Sequence, residues 1–478
     1  MIADLKPYPE YRDSGSRWLG AVPAHWGVRS LRTLIAARSE RKQPHLPLLS
    51  VAREKGVFVR SLTGDDNNHN FIPDDLSNYK VARAGNLVIN KMKAWQGSMG
   101  IAPCDGIVSP AYFVFDFQIT IRAFGQILFR SKPYVSHFGQ VSDGVRIGQW
   151  DLSIAGMKQI PVLVPNDCEQ NAIVRFLDYA TRRIDRTIRA NRKVIALLNE
   201  QKQAIIHNAV TRGLDPNAPL KPSGISWLGD IPEHWELRRA KQLCSSIIDC
   251  KNRTPNMVVG GDYIVVRTTN IRNGRFNLPG SYPTDRRNYE VWTQRGAPRV
   301  GDVFFTREAP VGEACLVPDM KNLCMGQRMM YFRPNPKVLD SQFLLHSIYG
   351  PVVRTYIEHV SNGSTVGHLR LGQVSALPLL WCPLDEQKKI VLYIYKASAP
   401  LNKIIIRTER EIALLREYRT RLIADVVTGK LDVREAARNL PDEAEEETCN
   451  TPLLQDGLDD SLDEEDDNTI VKFPKREI

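Results

Sequence analysis

The chain has 478 residues, a net charge of +10 and 42% hydrophobic residues, a composition typical of a globular protein with two to four domains. It contains no run of about 18 apolar residues and no apolar segment near its start, so we expect neither a membrane span nor secretion. None of its eight cysteines forms a C-x-x-C pair, which predicts free thiols in a reducing cytoplasm.

The charge is unevenly distributed along the chain. Residues 442–478 contain 14 acidic and 3 basic residues, a net charge of −11, so residues 1–441 carry +21. A body this basic is typical of nucleic-acid-binding proteins, although a basic composition also fits proteins without that function.

A polar leader, residues 1–26, ends in a nonapeptide that we call the Trp motif. It recurs 209 residues later, at the end of a linker covering residues 214–235, and this repetition predicts a tandem duplication. We interpret the motif as a small packing unit on a turn, not a ligand contact, because its aromatic rings and proline pack well together. The repeated positions are Trp18, Gly20, Pro23 and Trp26, matched by Trp227, Gly229, Pro232 and Trp235.

Residues 27–164 predict a first domain of mixed α/β structure. Segments 87–89 and 111–115 are rich in apolar and aromatic residues, which predicts strands. Segment 124–129 fits either a helix or a strand.

Residues 165–213 predict a helical region, with Asp167 as the expected N-cap. Residues 382–433 repeat its apolar pattern at an offset of 217, with Pro400 inside the pattern. Because proline disrupts a helix interior, we expect each region to form a short helix followed by a long one, at about 182–210 and 399–427, capped by Thr181 and Ser398. The apolar seam of the first region consists of Ile173, Leu177, Ala180, Ile184, Ile188, Ile195, Leu198, Ile205 and Ala209.

Two matching seams favour an antiparallel helix pair, because each seam alone would expose an apolar stripe to water. This pairing would place the intervening domains at opposite ends of the helices. In the alternative arrangement, each helix packs only on its own domain.

Residues 236–381 predict a second domain with the layout of the first but little of its sequence. Segment 301–307 resembles segment 85–91, and Ser361-Asn362-Gly363 resembles Ser142-Asp143-Gly144. Residues 434–478 are acidic and poor in apolar residues, which predicts a disordered tail.

The sequence shows no catalytic pattern. It lacks a phosphate-binding loop, a dinucleotide fingerprint and a metal-ligand spacing. Asp385, Glu386 and Lys388 resemble the signature of metal-dependent nucleases, but they open a predicted helix, which favours a capping role.

Three repeated features carry a resemblance to a known family: the Trp motifs, the Glu-Gln pairs at 169–170 and 386–387, and the endings Val210-Thr211 and Val427-Thr428. Through these features the chain resembles the specificity subunit of type I restriction-modification systems. The resemblance covers about residues 6–435. It implies two α/β (α+β) target recognition domains in tandem, separated by long helices that form an antiparallel coiled coil, with pseudo-twofold internal duplication. The acidic tail has no counterpart in the family, and Ala24 stands where the second copy has Glu233.

The resemblance also implies a function. Each domain would read one half of a split site in double-stranded DNA, and the helices would act as a ruler and dock two modification (methyltransferase) subunits. Restriction/translocase subunits would join them. S-adenosylmethionine, ATP and Mg would belong to these partners, with no cofactor, metal or catalytic residue in this chain. Because the two domains differ, the site should be asymmetric. A ruler of roughly 43 Å corresponds to about 13 base pairs.

We predict DNA contacts from polar and basic loop residues, which can hydrogen-bond to base edges. Three hypotheses compete with this function: a stand-alone nuclease or methyltransferase, a DNA-binding regulator without catalytic partners, and a helical scaffold that binds no DNA. The predicted contacts are Lys91, Lys93, Trp95, Gln96, Arg146 and Gln149 in the first domain, and Arg267, Asn270, Arg307, Asn362, Ser364 and Thr365 in the second.

Overall fold

The computed structural model describes residues 5–53, 55–60, 72–73, 75–146, 149–361 and 367–441. The chain divides into two compact units, a first unit of residues 1–190 with 411–478 and a second unit of residues 191–410. No helix in the described part of the chain is long and apolar enough to cross a membrane. The predicted disordered tail, residues 434–478, is wrong at its start, because Arg434–Arg438 form a helix and Leu440 is buried. Residues 442–478 lie outside the described residues.

In the described part of the first unit, short strands and three α-helices precede the long helix α4. Segment 124–129, which the sequence left open, is helical. The helices are α1 (Arg122–Arg130), α2 (Lys132–Gln140), α3 (Ile154–Lys158) and α4 (Asp167–Arg212), the last of which continues into the second unit. The strands are β1 (Tyr11–Asp13), β2 (Ala21–Pro23), β3 (Gly27–Ser30), β4 (Ile35–Arg38), β5 (Leu49–Ala52), β6 (Gly56–Val59), β7 (Lys80–Ala82), β8 (Leu87–Asn90), β9 (Met99–Ile101), β10 (Gly106–Val108), β11 (Tyr112–Phe117), β12 (Ser142–Arg146), β13 (Gln149–Leu152) and β14 (Pro161–Val164).

The second unit follows a similar order of strands and helices before the long helix α10, with an additional helix, α6, between β22 and β23. Its helices are α5 (Ala240–Leu243), α6 (Arg286–Trp292), α7 (Ser341–Ile348), α8 (Pro351–Ser361), α9 (Leu371–Ser375) and α10 (Leu384–Val427); α10 ends in the first unit, where α11 (Arg434–Arg438) follows. Its strands are β15 (Leu220–Pro222), β16 (Asp230–Pro232), β17 (Glu236–Arg239), β18 (Cys244–Asp249), β19 (Tyr263–Val266), β20 (Ile271–Arg272), β21 (Arg275–Phe276), β22 (Tyr282–Thr284), β23 (Val303–Arg307), β24 (Val311–Leu316), β25 (Leu323–Met325), β26 (Met329–Pro334) and β27 (Pro378–Trp381).

The two units share a sheet topology. The four-stranded antiparallel sheet has the order β4-β11-β8-β9 in the first unit and β18-β26-β23-β24 in the second. The pairs β3–β14 and β17–β27 also correspond, and each leads into a long helix. The central strands are apolar on both faces, since Leu87, Val88 and Ile89 of β8 and Val303 and Phe304 of β23 are fully buried. The duplication therefore extends to the domains whose sequences have diverged.

The long helices are continuous, and the predicted breaks before residues 182 and 399 are wrong. α4 has 46 residues and α10 has 44, so they are about 69 and 66 Å long at 1.5 Å per residue. Thr181 lies inside α4, where its hydroxyl donates to the Leu177 carbonyl at 2.7 Å. Pro400 lies inside α10 at a cost of about 3 kcal/mol. Burial of seam residues on either side, Ile394 and Ile405, offsets that cost.

The expected helix caps are also corrected. Asp167 is the first residue of α4, and the N-cap is Asn166, whose side-chain oxygen accepts from the Glu169 N–H at 2.9 Å. Ser398 is buried in the middle of α10 and caps nothing.

Within each unit the two long helices run antiparallel. In the first unit, Arg175 of α4 contacts the Leu440 carbonyl beyond the end of α10, whereas Asp185 accepts from Arg419 at 2.5 Å. In the second unit, Lys202 of α4 donates to Asn402 of α10 at 3.0 Å. The partner's number falls as the α4 number rises, as the sequence predicts. Buried seam residues include Ile173, Leu177, Ala180, Ile184, Ile188 and Ala209 of α4 and Ile390, Ile394, Ile405, Ile412, Leu422 and Val426 of α10.

Each Trp motif packs where one long helix begins and the other ends. In the second unit, the buried Trp235 donates from Nε1 to Glu386 at 3.0 Å, and His234 lies 2.8 Å from the same carboxylate. Pro232 and Trp235 enclose Gly213 at the end of α4. Glu386 thus has a structural partner in the Trp motif, which fits the structural interpretation of residues 385–388.

The first unit repeats this arrangement. His25 lies 2.9 Å from Glu169 in the first turn of α4, and Pro23 and the buried Trp26 lie against Gly429 after α10.

The first tryptophan of each motif is less buried than the second. Trp18 stacks on His137 with ring centroids 4.5 Å apart, and Trp227 is 45% exposed. The packing role therefore belongs mainly to Trp26 and Trp235.

Replacing Gly429 by alanine should destabilise the first unit, because Gly429 has φ +76° and a Cβ there would overlap the Pro23 ring. Gly20 is the matched control, since it has φ +65° but no atom within 4 Å of an added Cβ. We expect about 1–2 kcal/mol for Gly20→Ala from the backbone alone and a further 1–3 kcal/mol, roughly, for Gly429→Ala from overpacking. Urea unfolding measures both, and equal losses would show that the glycine–proline contact contributes nothing.

Candidate nucleic-acid interface

The predicted contacts of the first unit begin in the loop after β8. Residues 91–93 form a turn, a short 3-10 helix covers Ala94–Gln96, and Gly97 follows with φ +89°. Trp95 holds the loop together by donating from Nε1 to the Met92 carbonyl at 3.1 Å. Lys93 is exposed.

The β12–β13 hairpin packs against this loop. The Leu152 N–H donates to the Lys91 carbonyl at 3.0 Å, and the Trp95 and Trp150 rings lie 5.2 Å apart. Arg146 and Gln149 pair across the hairpin end, but their side chains lie outside the described residues. The structure therefore brings the backbones of both predicted segments together at one edge of the first unit.

An ion pair joins the loop to the hairpin. Lys91 Nζ lies 2.6 Å from the Asp151 carboxylate, and the two side chains are 39% and 49% exposed. Surface pairs of this kind contribute about 0–1 kcal/mol, so Lys91 can exchange Asp151 for a phosphate at little cost.

The second unit places Arg307 at the corresponding point, the end of β23. The Leu369 N–H donates to the Arg307 carbonyl at 2.9 Å, which reproduces the Leu152–Lys91 hydrogen bond of the first unit. The predicted contacts Asn362, Ser364 and Thr365 lie outside the described residues, in the segment between α8 and Leu369.

The Arg307 side chain is bound by other residues of the same unit. It is 12% exposed, lies 3.3 Å from Asp249, and donates to Asn252 at 3.0 Å. Burial and the nearby Asp249 raise the pKa of the neighbouring Cys250 thiol, which stays neutral at pH 7. Arg267, in contrast, is exposed beside a 3-10 helix.

Asn270 does not have the predicted role. It is fully buried, its side-chain oxygen accepts from the Arg267 N–H at 2.7 Å, and its amide donates to the Asn277 and Pro279 carbonyls at 2.8 Å. Both ends of the carboxamide are therefore occupied, and Asn270 shapes the loop that carries Arg267.

A basic and aromatic surface that was not predicted from the sequence lies next to Arg307. Lys251 and Arg253 flank Asn252 and approach the face of Trp292 at 5.7 and 5.5 Å. Trp292 is fixed by donating to the Arg253 carbonyl at 2.9 Å. The alternation of basic and amide residues at 251–253, shortly after strand β18, is the signal that could have identified it.

We expect Arg307→Ala to lower stability as well as DNA affinity. Removing the guanidinium leaves Asp249 largely buried and uncompensated, a loss toward the lower end of about 3–5 kcal/mol. Thermal unfolding checks this, with the exposed Arg267→Ala as the matched control. An unchanged melting temperature for Arg307→Ala would contradict the structural role.

Residues 232–413 match the family model described as "Type I restriction modification DNA specificity domain". The putative type I restriction enzyme MjaX specificity subunit of Methanocaldococcus jannaschii is 21% identical over 297 residues, which cover 60% of this chain and 63% of the relative. The type I restriction enzyme EcoBI specificity subunit of Escherichia coli is 20% identical over 303 residues, covering 61% and 62%. The matched segment thus spans less than two thirds of either relative.

A protein solved in work on complex assembly and conformational transition of the type I R-M system has the same fold. The TM-score is 0.58 at 17% identity, over 86% of this chain and 99% of that one. This likeness confirms the predicted fold class of tandem α+β domains with long helices.

Residues 232–413 thus match a DNA specificity domain of type I restriction-modification systems. The resemblance to specificity subunits that the Trp motifs and helical regions predict is confirmed.

Proposed function

We propose that this chain is the DNA-recognition subunit of a type I restriction-modification complex. The observation that carries the proposal is the repeated loop position. In two units with diverged sequences, a basic residue lies at the end of the corresponding strand, Lys91 directly after β8 and Arg307 as the last residue of β23. The carbonyl of each accepts a backbone hydrogen bond, from Leu152 in one case and Leu369 in the other. One scaffold with two different loop chemistries suits the reading of two different DNA sequences.

The first unit reads its half-site through the loop after β8 and the β12–β13 hairpin. Lys91, Lys93 and Arg146 suit guanine edges or phosphates, and Gln96 and Gln149 suit adenine. Trp95 stabilises the loop, since its ring packs on Trp150 of the β12–β13 hairpin.

The second unit reads the other half-site with different residues. Arg267 is exposed, and the surface formed by Lys251, Arg253 and Trp292 adds positive charge. Arg307 positions this surface through its hydrogen bond to Asn252. Asn362, Ser364 and Thr365 are the remaining DNA contacts of the second unit. Because the two sets differ, the DNA site is asymmetric, and the long helices set the spacing between its halves.

The partners supply the chemistry. Two modification subunits methylate adenine with S-adenosylmethionine, and restriction/translocase subunits use ATP and Mg. This chain contributes recognition and a docking surface and has no catalytic role. Exposed apolar residues on α10 support docking: Leu392, Tyr395 and Ile406 are 52%, 74% and 58% exposed.

Selection of DNA from random duplexes tests the proposal. The chain is purified with the modification subunit encoded beside it, and binding is selected at physiological salt to suppress non-specific contacts. We expect two different short conserved blocks separated by a fixed gap. A chain that selects DNA but does not bind the modification subunit would be a stand-alone regulator, and an intact complex that enriches no sequence would contradict the proposal.

A further inference from the structure

The described part of the chain ends at residue 441, beside helix α4 of the first unit. Leu440 is buried, and the carbonyls of Leu440 and Pro441 accept from Arg175 Nη2 at 3.0 and 3.3 Å. The chain is thus attached to α4 one residue before its acidic part begins.

Arg175 is the first residue of a basic stripe on α4. Arg175, Arg182, Arg186 and Arg189 follow each other at steps of seven, four and three, and all four are exposed. At 100° per residue they lie within about 60° of one another around the helix, and they cover about 21 Å along it. We call these four residues the arginine stripe.

The acidic segment, residues 442–478, is opposite in charge to the arginine stripe and long enough to extend along it. It has four acidic residues in 443–447 and eight in 456–467. Random-coil statistics give about 20–30 Å for the number of residues between residue 441 and the second cluster, a distance comparable to the length of the stripe. Tethering gives such a segment an effective concentration on the order of millimolar.

We propose that residues 442–478 bind the arginine stripe of α4 and compete there with DNA phosphates. A guanidinium binds carboxylate and phosphate through the same planar fork, so one ligand excludes the other. The acidic segment then lowers the affinity for any DNA that contacts the stripe, and the effect is measured most simply on DNA without a recognition site, where phosphate contacts supply nearly all of the binding.

A labelled peptide of residues 442–478 tests the contact without DNA. The receptor is the full chain in which the twelve acidic residues of 443–447 and 456–467 are changed to their amides, and the natural chain is the comparison. The peptide should bind the neutralised chain at least tenfold more tightly at low salt, because the natural chain's own segment occupies the stripe. Equal binding to both chains would overturn the proposal.

Charge reversal locates the contact. Arg186→Glu with Arg189→Glu, placed in the neutralised chain, should abolish peptide binding. The matched control is Arg407→Glu with Arg410→Glu, which reverses two exposed arginines on α10 and should leave binding within about twofold. Circular dichroism verifies that both pairs keep their helical content. Equal effects of the two pairs would mean that the segment is held by general charge and would overturn the assignment to the stripe.

The competition with DNA is measured separately. A short duplex without a recognition site should displace the peptide from the neutralised chain. The neutralised chain should bind that duplex at least tenfold more tightly than the natural chain at low salt, and the difference should disappear at high salt. Peptide binding that a duplex does not displace would confirm the contact and overturn the competition.

Discussion

Replacing Trp235 by alanine should lower the free energy of unfolding by about 3–5 kcal/mol, the range for deleting a fully buried aromatic side chain. Trp235 is 0% exposed and fills the space between Pro232 and Gly213. Its Nε1 also donates to Glu386 in the first turn of α10. The substitution therefore removes both the packing and the hydrogen bond that join the Trp motif to the two helix ends.

Urea unfolding followed by circular dichroism measures this loss. Trp227→Ala is the matched control, because it removes the same side chain from the same motif at a position that is 45% exposed. We expect a change below about 1 kcal/mol for Trp227→Ala, since an exposed side chain leaves no cavity. Similar losses from the two substitutions would contradict the packing role that we assign to the second tryptophan.

Changing Lys91 and Lys93 together to alanine should weaken binding to the first half-site by about 10–100-fold, the effect of losing one or two base contacts at 1–3 kcal/mol each. The preference for the second half-site should stay unchanged, because we propose that the other unit reads it. Stability should change by no more than about 1 kcal/mol, since the Lys91–Asp151 pair lies at the surface.

Titrations against the selected site, and against sites with either half randomised, separate the two halves. Arg267→Ala is the reciprocal variant and should weaken only the second half-site. If the double lysine variant lost the same affinity for random DNA, both lysines would contact phosphates and would read no base.

The sequence predicts the architecture well because repetition makes it visible. Residues that must fit the helix ends, such as Pro23, Trp26, Pro232 and Trp235, recur at a fixed offset and mark both copies. The seam residues, such as Ile184 and Ile412, are buried as their spacing predicts. The shared sheet order could not be read from sequence, because many apolar combinations fill a strand such as β8 or β23 equally well.

The errors concern interactions between residues that are distant in sequence. Pro400 locally favours a helix break, but burial along the α10 seam outweighs the lost hydrogen bond. Arg307 follows a strand, as a DNA contact could, but Asp249 from another strand of the same sheet binds its guanidinium. Asn270 has a side chain suited to adenine, but the surrounding loop carbonyls use it instead. Residue type and position after a strand do not reveal such partners.

Mapping adenine methylation across a genome tests the central claim most directly. The chain is co-expressed with the modification subunit encoded beside it, and methylated adenines are located by long-read sequencing. We predict one split, asymmetric motif with a fixed gap, whose first half loses definition in the Lys91→Ala, Lys93→Ala variant. An intact complex that methylates no sequence, or methylates an unsplit one, would contradict the claim that this chain reads DNA through two different domains.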